Sequence, residues 1–146
     1  MIPQHISKYA CYSACLCVFP NCGITYMYGY HNLSFLFGLL FITSVLYWHK
    51  VQHGWISKID RCVALTTMYR LTFVDRVRLH PTYQTYWFYV VSIMSVSFIL
   101  NEFAFLQVQH MAERDRACYY SVGTHILFIH VLPTVTFNTF IILSET

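Results

Sequence analysis

The sequence predicts an all-α integral membrane protein: a four-helix transmembrane bundle preceded by an N-terminal interfacial or re-entrant segment. Three observations carry this. Only 10% of the residues are charged, against about 25% in a soluble domain, so the chain lacks the charge that a water-facing surface needs. Mean hydropathy is +0.48, which excludes a disordered chain as well as a soluble globular one. Four apolar runs approach the roughly 20 residues that a helix needs to cross a bilayer. A length of 146 residues leaves room for one domain. The chain divides into 1–30, a cysteine-rich N-terminal segment, and 31–146, the bundle.

Residues 1–30 come first. Lys8 followed by the short apolar stretch 10–19 has the layout of a signal peptide. Pro20-Asn21-Cys22-Gly23 interrupts the apolar run and Gly29 follows. These breakers predict two half-segments lying in the interface, retained and not cleaved, in place of one crossing. Cys11, Cys15, Cys17 and Cys22 are spaced C-x3-C-x-C-x4-C, without the C-x2-C pairs of zinc sites. Apolar packing, disulfide pairing and S-acylation all stay open for them.

The four spans follow in order. Residues 32–48 carry no charge and are flanked by His31 and His49. Residues 59–74 carry Asp60, Arg61 and Arg70; Ser57 with Asp60 three positions on has the form of an N-cap and an acidic N3 residue. The long stem of Arg70 is expected to snorkel outward. Residues 85–106 start after Pro81-Thr82 and are interrupted only by Asn101-Glu102. Residues 119–143 contain Pro133, which should kink that helix by freeing the Ile129 carbonyl. The runs lack the period-two alternation of a β-barrel. Trp48, Trp55 and Trp87, with tyrosines beside them, fall at predicted ends and read as interfacial anchors. Small residues such as Gly38 and Ser92 allow close helix approach. Phe35, Phe37, Phe41, Phe98, Phe103 and Phe105 are expected to face lipid or partners.

Net charge is +3 with no Lys/Arg block, so a nucleic-acid partner is not expected. With four spans, Lys50, Lys58, Arg61, Arg114 and Arg116 share one side, and Lys8, Arg76 and Arg78 the other. The positive-inside rule then places both termini away from the cytosol.

Polar residues inside spans are costly, so each raises a functional hypothesis. Depth along the helices gathers Ser44, His49, Asp60, Arg61, Glu102 and His125 in one leaflet. The structural reading lets Glu102 neutralise Arg61, Asp60 cap its helix and Ser44 bond a carbonyl of its own helix. The catalytic reading makes Ser44, Asp60 and His125 a weak candidate set for a small membrane hydrolase. Membrane hydrolases of the alkaline ceramidase type carry Ser-x3-His, an Asp and His-x3-His, across about seven spans. Here four residues separate Ser44 from His49, and His125 and His130 are five apart. That spacing sets the two histidines about 140° apart around an α-helix, whereas a metal pair wants positions three or four apart. A proton or ion path through Glu102 beside Asn101 is a looser match. The structural reading is preferred, and no catalytic, cofactor or metal site is assigned.

The most distinctive stretch is Thr43-Ser44-x-x-Tyr47-Trp48, continuing through Gly54-Trp55 to Ile59-Asp60. It resembles a T-S-x-x-Y-W…G-W-x3-I-D hairpin pattern in small uncharacterised multi-span membrane proteins of nucleocytoplasmic large DNA viruses and some protists. The resemblance covers the first predicted hairpin. It implies a structural protein of the membrane beneath an icosahedral capsid, a minor capsid protein tying lipid to the shell. The expected partners are the lipid bilayer and other subunits of a large assembly, and the expected location is a virion internal membrane. An accessory subunit of an organellar, respiratory-type complex is the alternative.

Overall fold

The computed structural model describes residues 3–49, 54–108 and 114–145, with all their side chains except those of residues 102, 104–108 and 114. Among these residues there are five helices and no strand. α1 runs over 4–27, α2 over His31–His49, α3 over 55–78, α4 over Pro81–Val108 and α5 over 114–145. Two of them, His31–His49 and Asp115–Glu145, are long and apolar enough to cross a membrane.

α1 corrects the expectation for the N-terminal segment. The helix does not break at Pro20. It passes from α-form (Gln4–Ser13) through a π-turn (Ala14–Val18) back to α-form (Phe19–Met27). A proline in a helix lacks an N–H and its ring clashes with the carbonyl four residues back. A π-turn just ahead of it widens the ladder, so both defects are absorbed without a break. α5 repeats the device: the π-turn Ile126–Val131 precedes Pro133. The backbone irregularity expected near Pro133 thus takes the form of a π-turn within a continuous helix. α1 ends where Gly29 adopts φ 75°. The Tyr30 N–H bonds the Thr25 carbonyl at 2.8 Å and the Gly29 N–H bonds Tyr26 at 3.0 Å, the paired capping bonds of a left-handed glycine terminus.

Short connections make neighbouring helices antiparallel. The starts of α1, α3 and α5 and the ends of α2 and α4 therefore share one end of the bundle, the near end. Ile6, Ala10, Trp48, Cys118 and Val122 pack together there. The far end is built around Tyr30, Leu33, Phe37, Leu71, Trp87 and Phe137. Trp87 is fully buried, with the Phe137 ring edge-on at 5.1 Å. Tyr83 stacks on Phe140 at 5.0 Å.

Arg78 closes the far end. Its guanidinium lies 3.8 Å above the Tyr30 ring and donates to the Gly29 and Tyr28 carbonyls at 3.2 and 3.4 Å. This ties the end of α3 to the α1–α2 turn. Arg70 does not snorkel freely. Its Nε donates to Asp75 Oδ2 at 2.8 Å, within the same helix. α1 and α2 approach closely at Gly38, where an added Cβ would already meet Cys22 Sγ at 3.6 Å. Ser34 Oγ donates to the Cys22 carbonyl at 2.7 Å across the same seam.

The expected anchors divide. Trp55 is exposed, whereas Trp48 and Trp87 are core residues. Phe37 also points inward, while Phe35, Phe98 and Phe103 face out. The expected Arg61–Glu102 contact and the Phe105 ring lie outside the described side chains.

Candidate functional site

Asp60 is the centre of the polar site. α3 begins at Trp55, after the extended Gly54, so Ser57 lies inside the helix and Asp60 in its second turn. Neither residue caps. Asp60 turns sideways to α2, where Thr43 and Ser44 donate to its Oδ1 at 2.9 and 2.8 Å. Ser44 thus bonds a carboxylate on the next helix, not a carbonyl of its own. Thr43 also reaches the Leu40 carbonyl at 3.1 Å. A carboxylate can accept several hydrogen bonds, and two hydroxyls from adjacent positions of α2 supply two of them.

The histidines lie on α5. Five residues apart, they would sit on different faces of an α-helix. The π-turn between them changes this, because i and i+5 become stacked neighbours. The two rings are 5.0 Å apart, centroid to centroid, at 72°. His125 also lies against Trp48 at 5.2 Å. On the other side, His130 Nδ1 is 2.7 Å from Ser13 Oγ of α1. Ser13 stands immediately before the π-turn of α1, so two π-turned helices meet at this hydrogen bond.

A third polar link lies farther along the same helices. Asn21 Nδ2 donates to Thr134 Oγ1 at 3.0 Å, and Asn138 Nδ2 donates to Asn21 Oδ1 at 2.6 Å. The three groups of residues border a cavity of about 80 Å³. Ser44 and Asp60 line it from α2 and α3, His125, His130 and Thr134 from α5, and Asn21 from α1. Each π-turn also contributes to its wall, through Val18 in α1, Ile129 in α5 and Leu71 in a third π-turn, Arg70–Val74 of α3. Met68, Met94 and Phe37 complete an otherwise apolar lining.

The cavity therefore brings together Ser44, Asp60 and His125, the three weak catalytic candidates of the sequence. It does not gather His49, whose side chain is exposed, or Arg61, also exposed. Among the described residues, no group of three His, Cys, Asp or Glu side chains is arranged to hold a metal ion. Sequence reasoning missed Ser13, Asn21 and the pairing of His130. His130 carried a signal, a polar residue three positions before Pro133 on an apolar helix, where an α-helix cannot continue unchanged; Asn21 directly follows Pro20 and Ser13 lies two turns before it.

Chemically, the site offers a carboxylate with two hydroxyl donors and a pair of imidazoles on the opposite wall. It can hold a small polar guest or exchange protons with it. Compared with known proteins, the chain matches no family model, no curated protein and no solved structure.

Proposed function

We propose that this chain is a multi-pass membrane protein with a structural role, a lipid-embedded subunit of a larger assembly, with a virion internal membrane as its first placement. One observation supports the membrane reading above the others: polar side chains are buried among the helices while many large apolar ones face outward. Asn21, Thr25, Ser44 and Thr67 are buried, while Leu16, Met27, Phe35 and Leu65 on the same helices are 67% exposed or more. A water-soluble bundle arranges these the other way round. In hydrocarbon, interior polar contacts and close packing hold helices together, and the apolar side chains turn outward.

α1 follows the same pattern and packs along α2, which supports a fifth crossing. The count of crossings is then odd, and Lys8 joins Lys58, Arg61, Arg114 and Arg116 at the near end, against Arg76 and Arg78 at the far end. The positive-inside rule now favours a cytosolic N-terminus and a C-terminus on the opposite side. The virion placement rests on the resemblance of the 43–60 hairpin. The test is fractionation of the full chain from infected or producing cells. Membrane retention through alkaline wash, release only by detergent, and co-purification with a large particle are expected. Ser44→Ala should leave that incorporation unchanged. Recovery as a soluble monomer without detergent would sink the reading. Tags at the two termini reported on the same side of the membrane would remove the fifth crossing.

A second reading, a small membrane hydrolase, is favoured by the shared cavity of Ser44, Asp60 and His125. Ser44 as nucleophile would hand its proton to Asp60, to which it is already bonded. A serine-reactive fluorophosphonate probe should then label the chain in membranes, and Ser44→Ala should abolish the label. Absence of labelling in a folded preparation rejects this serine mechanism.

A further inference from the structure

We infer that the interior cavity is a binding site for a small hydrogen-bond donor, held between His130 Nε2 and the Asp60 carboxylate, and that Ser13 prepares it by fixing the tautomer of His130. The inference depends on neither reading of the function above.

Ser13 has one hydroxyl hydrogen and two short contacts, to the Ala10 carbonyl at 2.8 Å and to His130 Nδ1 at 2.7 Å. A carbonyl oxygen only accepts. Both contacts are attractive only when Ser13 donates to Ala10 and the ring Nδ1–H donates to Ser13. The reverse choice sets two lone-pair oxygens against each other at 2.8 Å. The neutral ring is therefore the Nδ1–H tautomer, and Nε2 carries the lone pair. His130 is 5% exposed and borders the cavity.

The hydroxyls around this part of the wall are already committed. Thr43 and Ser44 donate to Asp60, and Thr67 donates to the Val63 carbonyl at 2.8 Å. Asp60 and the His130 Nε2 lone pair offer acceptors to the cavity, and the neighbouring His125 ring adds one N–H and one acceptor nitrogen. A guest held between Asp60 and Nε2 must bring O–H or N–H hydrogens to them. One water needs about 10–15 Å³ of such space, so about 80 Å³ takes a guest of one to a few heavy atoms. Water and the ammonium ion share the required donor chemistry and differ in charge.

The test uses the full chain in lipid nanodiscs, labelled with ¹⁵N in its histidines. His130 is expected as the Nδ1–H tautomer. Ser13→Ala should erase that preference and Ser13→Thr should keep it. Two arms then separate the guests. Magnetisation transfer from water to the His130 ring, with Nε2 insensitive to added ammonium and potassium, identifies resident water. A shift of Nε2 with ammonium but not with potassium, a cation of similar size without hydrogens, identifies ammonium. Asp60→Asn should weaken that response by about tenfold, the scale of a lost charge-assisted hydrogen bond. Either arm supports the site. An Nε2–H tautomer in the unmodified protein, equal responses to potassium and ammonium, or a ring that neither water nor ammonium reaches would overturn it.

Discussion

The two halves of the bundle are built on different principles. The far half is the more aromatic. Trp87, Phe137, Tyr30 and Phe37 belong to one core cluster there, and Arg78 lies across the α1–α2 turn as a strap. The near half has a smaller apolar cluster, Ile6, Ala10, Trp48, Cys118 and Val122. Asp60 and two histidines border the cavity on its side. In the membrane setting proposed above, apolar burial would give little net drive, because the tails are as apolar as the core. Rigidity would then come from close aromatic packing in one half and from hydrogen bonds across the cavity wall.

The largest effect should follow from loosening the aromatic half. Trp87→Ala is expected to cost about 3–5 kcal/mol, read by denaturant unfolding in detergent micelles. Its indole N–H has no hydrogen-bond partner among the described residues. Trp87→Phe should therefore be nearly neutral, since it removes a donor that earns no hydrogen bond. If Trp87→Ala cost less than Asp60→Ala, the assignment of the rigid half would be reversed.

In the near half the expected effects are smaller. Asp60→Ala strands the hydroxyls of Thr43 and Ser44, at about 1–3 kcal/mol. Thr43 has the Leu40 carbonyl within reach, which limits the loss. Ser44→Ala keeps the Thr43 bond and should cost about 1 kcal/mol in the same unfolding measurement. Equal costs for the two variants would mean that Ser44 alone secures the carboxylate.

The smallest effect concerns the strap. Burial pushes the Tyr30 phenol above its ordinary value, and the Arg78 guanidinium pulls it back part of the way. A phenol whose folded value is raised favours the folded state fully below its unfolded value, near 10. That contribution is lost as pH rises through the raised value. NMR titration of labelled tyrosine should show Tyr30 ionising later than free tyrosine, and Arg78→Ala should delay it further. An earlier ionisation in Arg78→Ala would mean that the guanidinium does not act on the ring.

Much of the scaffold was legible in the residues. The uncharged run 32–48 became α2 almost to the residue, since apolar length alone sets such a helix. Runs 85–106 and 119–143 appear inside longer helices, because their polar ends still extend the backbone ladder. The N-terminal segment was misread for a definite reason. Pro20 was weighed as though only an α-helix were available, and an α-helix would indeed have been interrupted there. The same assumption placed His125 and His130 on different faces. Ser44, Asp60 and His125 were visible as polar residues at one depth, but depth does not give direction around a helix. Only the packing of α2 on α3 turned Asp60 toward Thr43 and Ser44 and away from its own helix end.

What the sequence determined by itself is the class: an all-helical chain, poor in charge at 10% of residues, with two helices long and apolar enough to cross a membrane. Those are sums over side chains, and they do not depend on how the helices meet. The tertiary structure decided the rest. A π-turn trades regular hydrogen bonding for a local rotation, and that trade is favourable only where neighbouring helices gain contacts from it. The meeting of Ser13 with His130, the pairing of two histidines five residues apart and the cavity they border all follow from such turns, so they became readable only once the helices were packed.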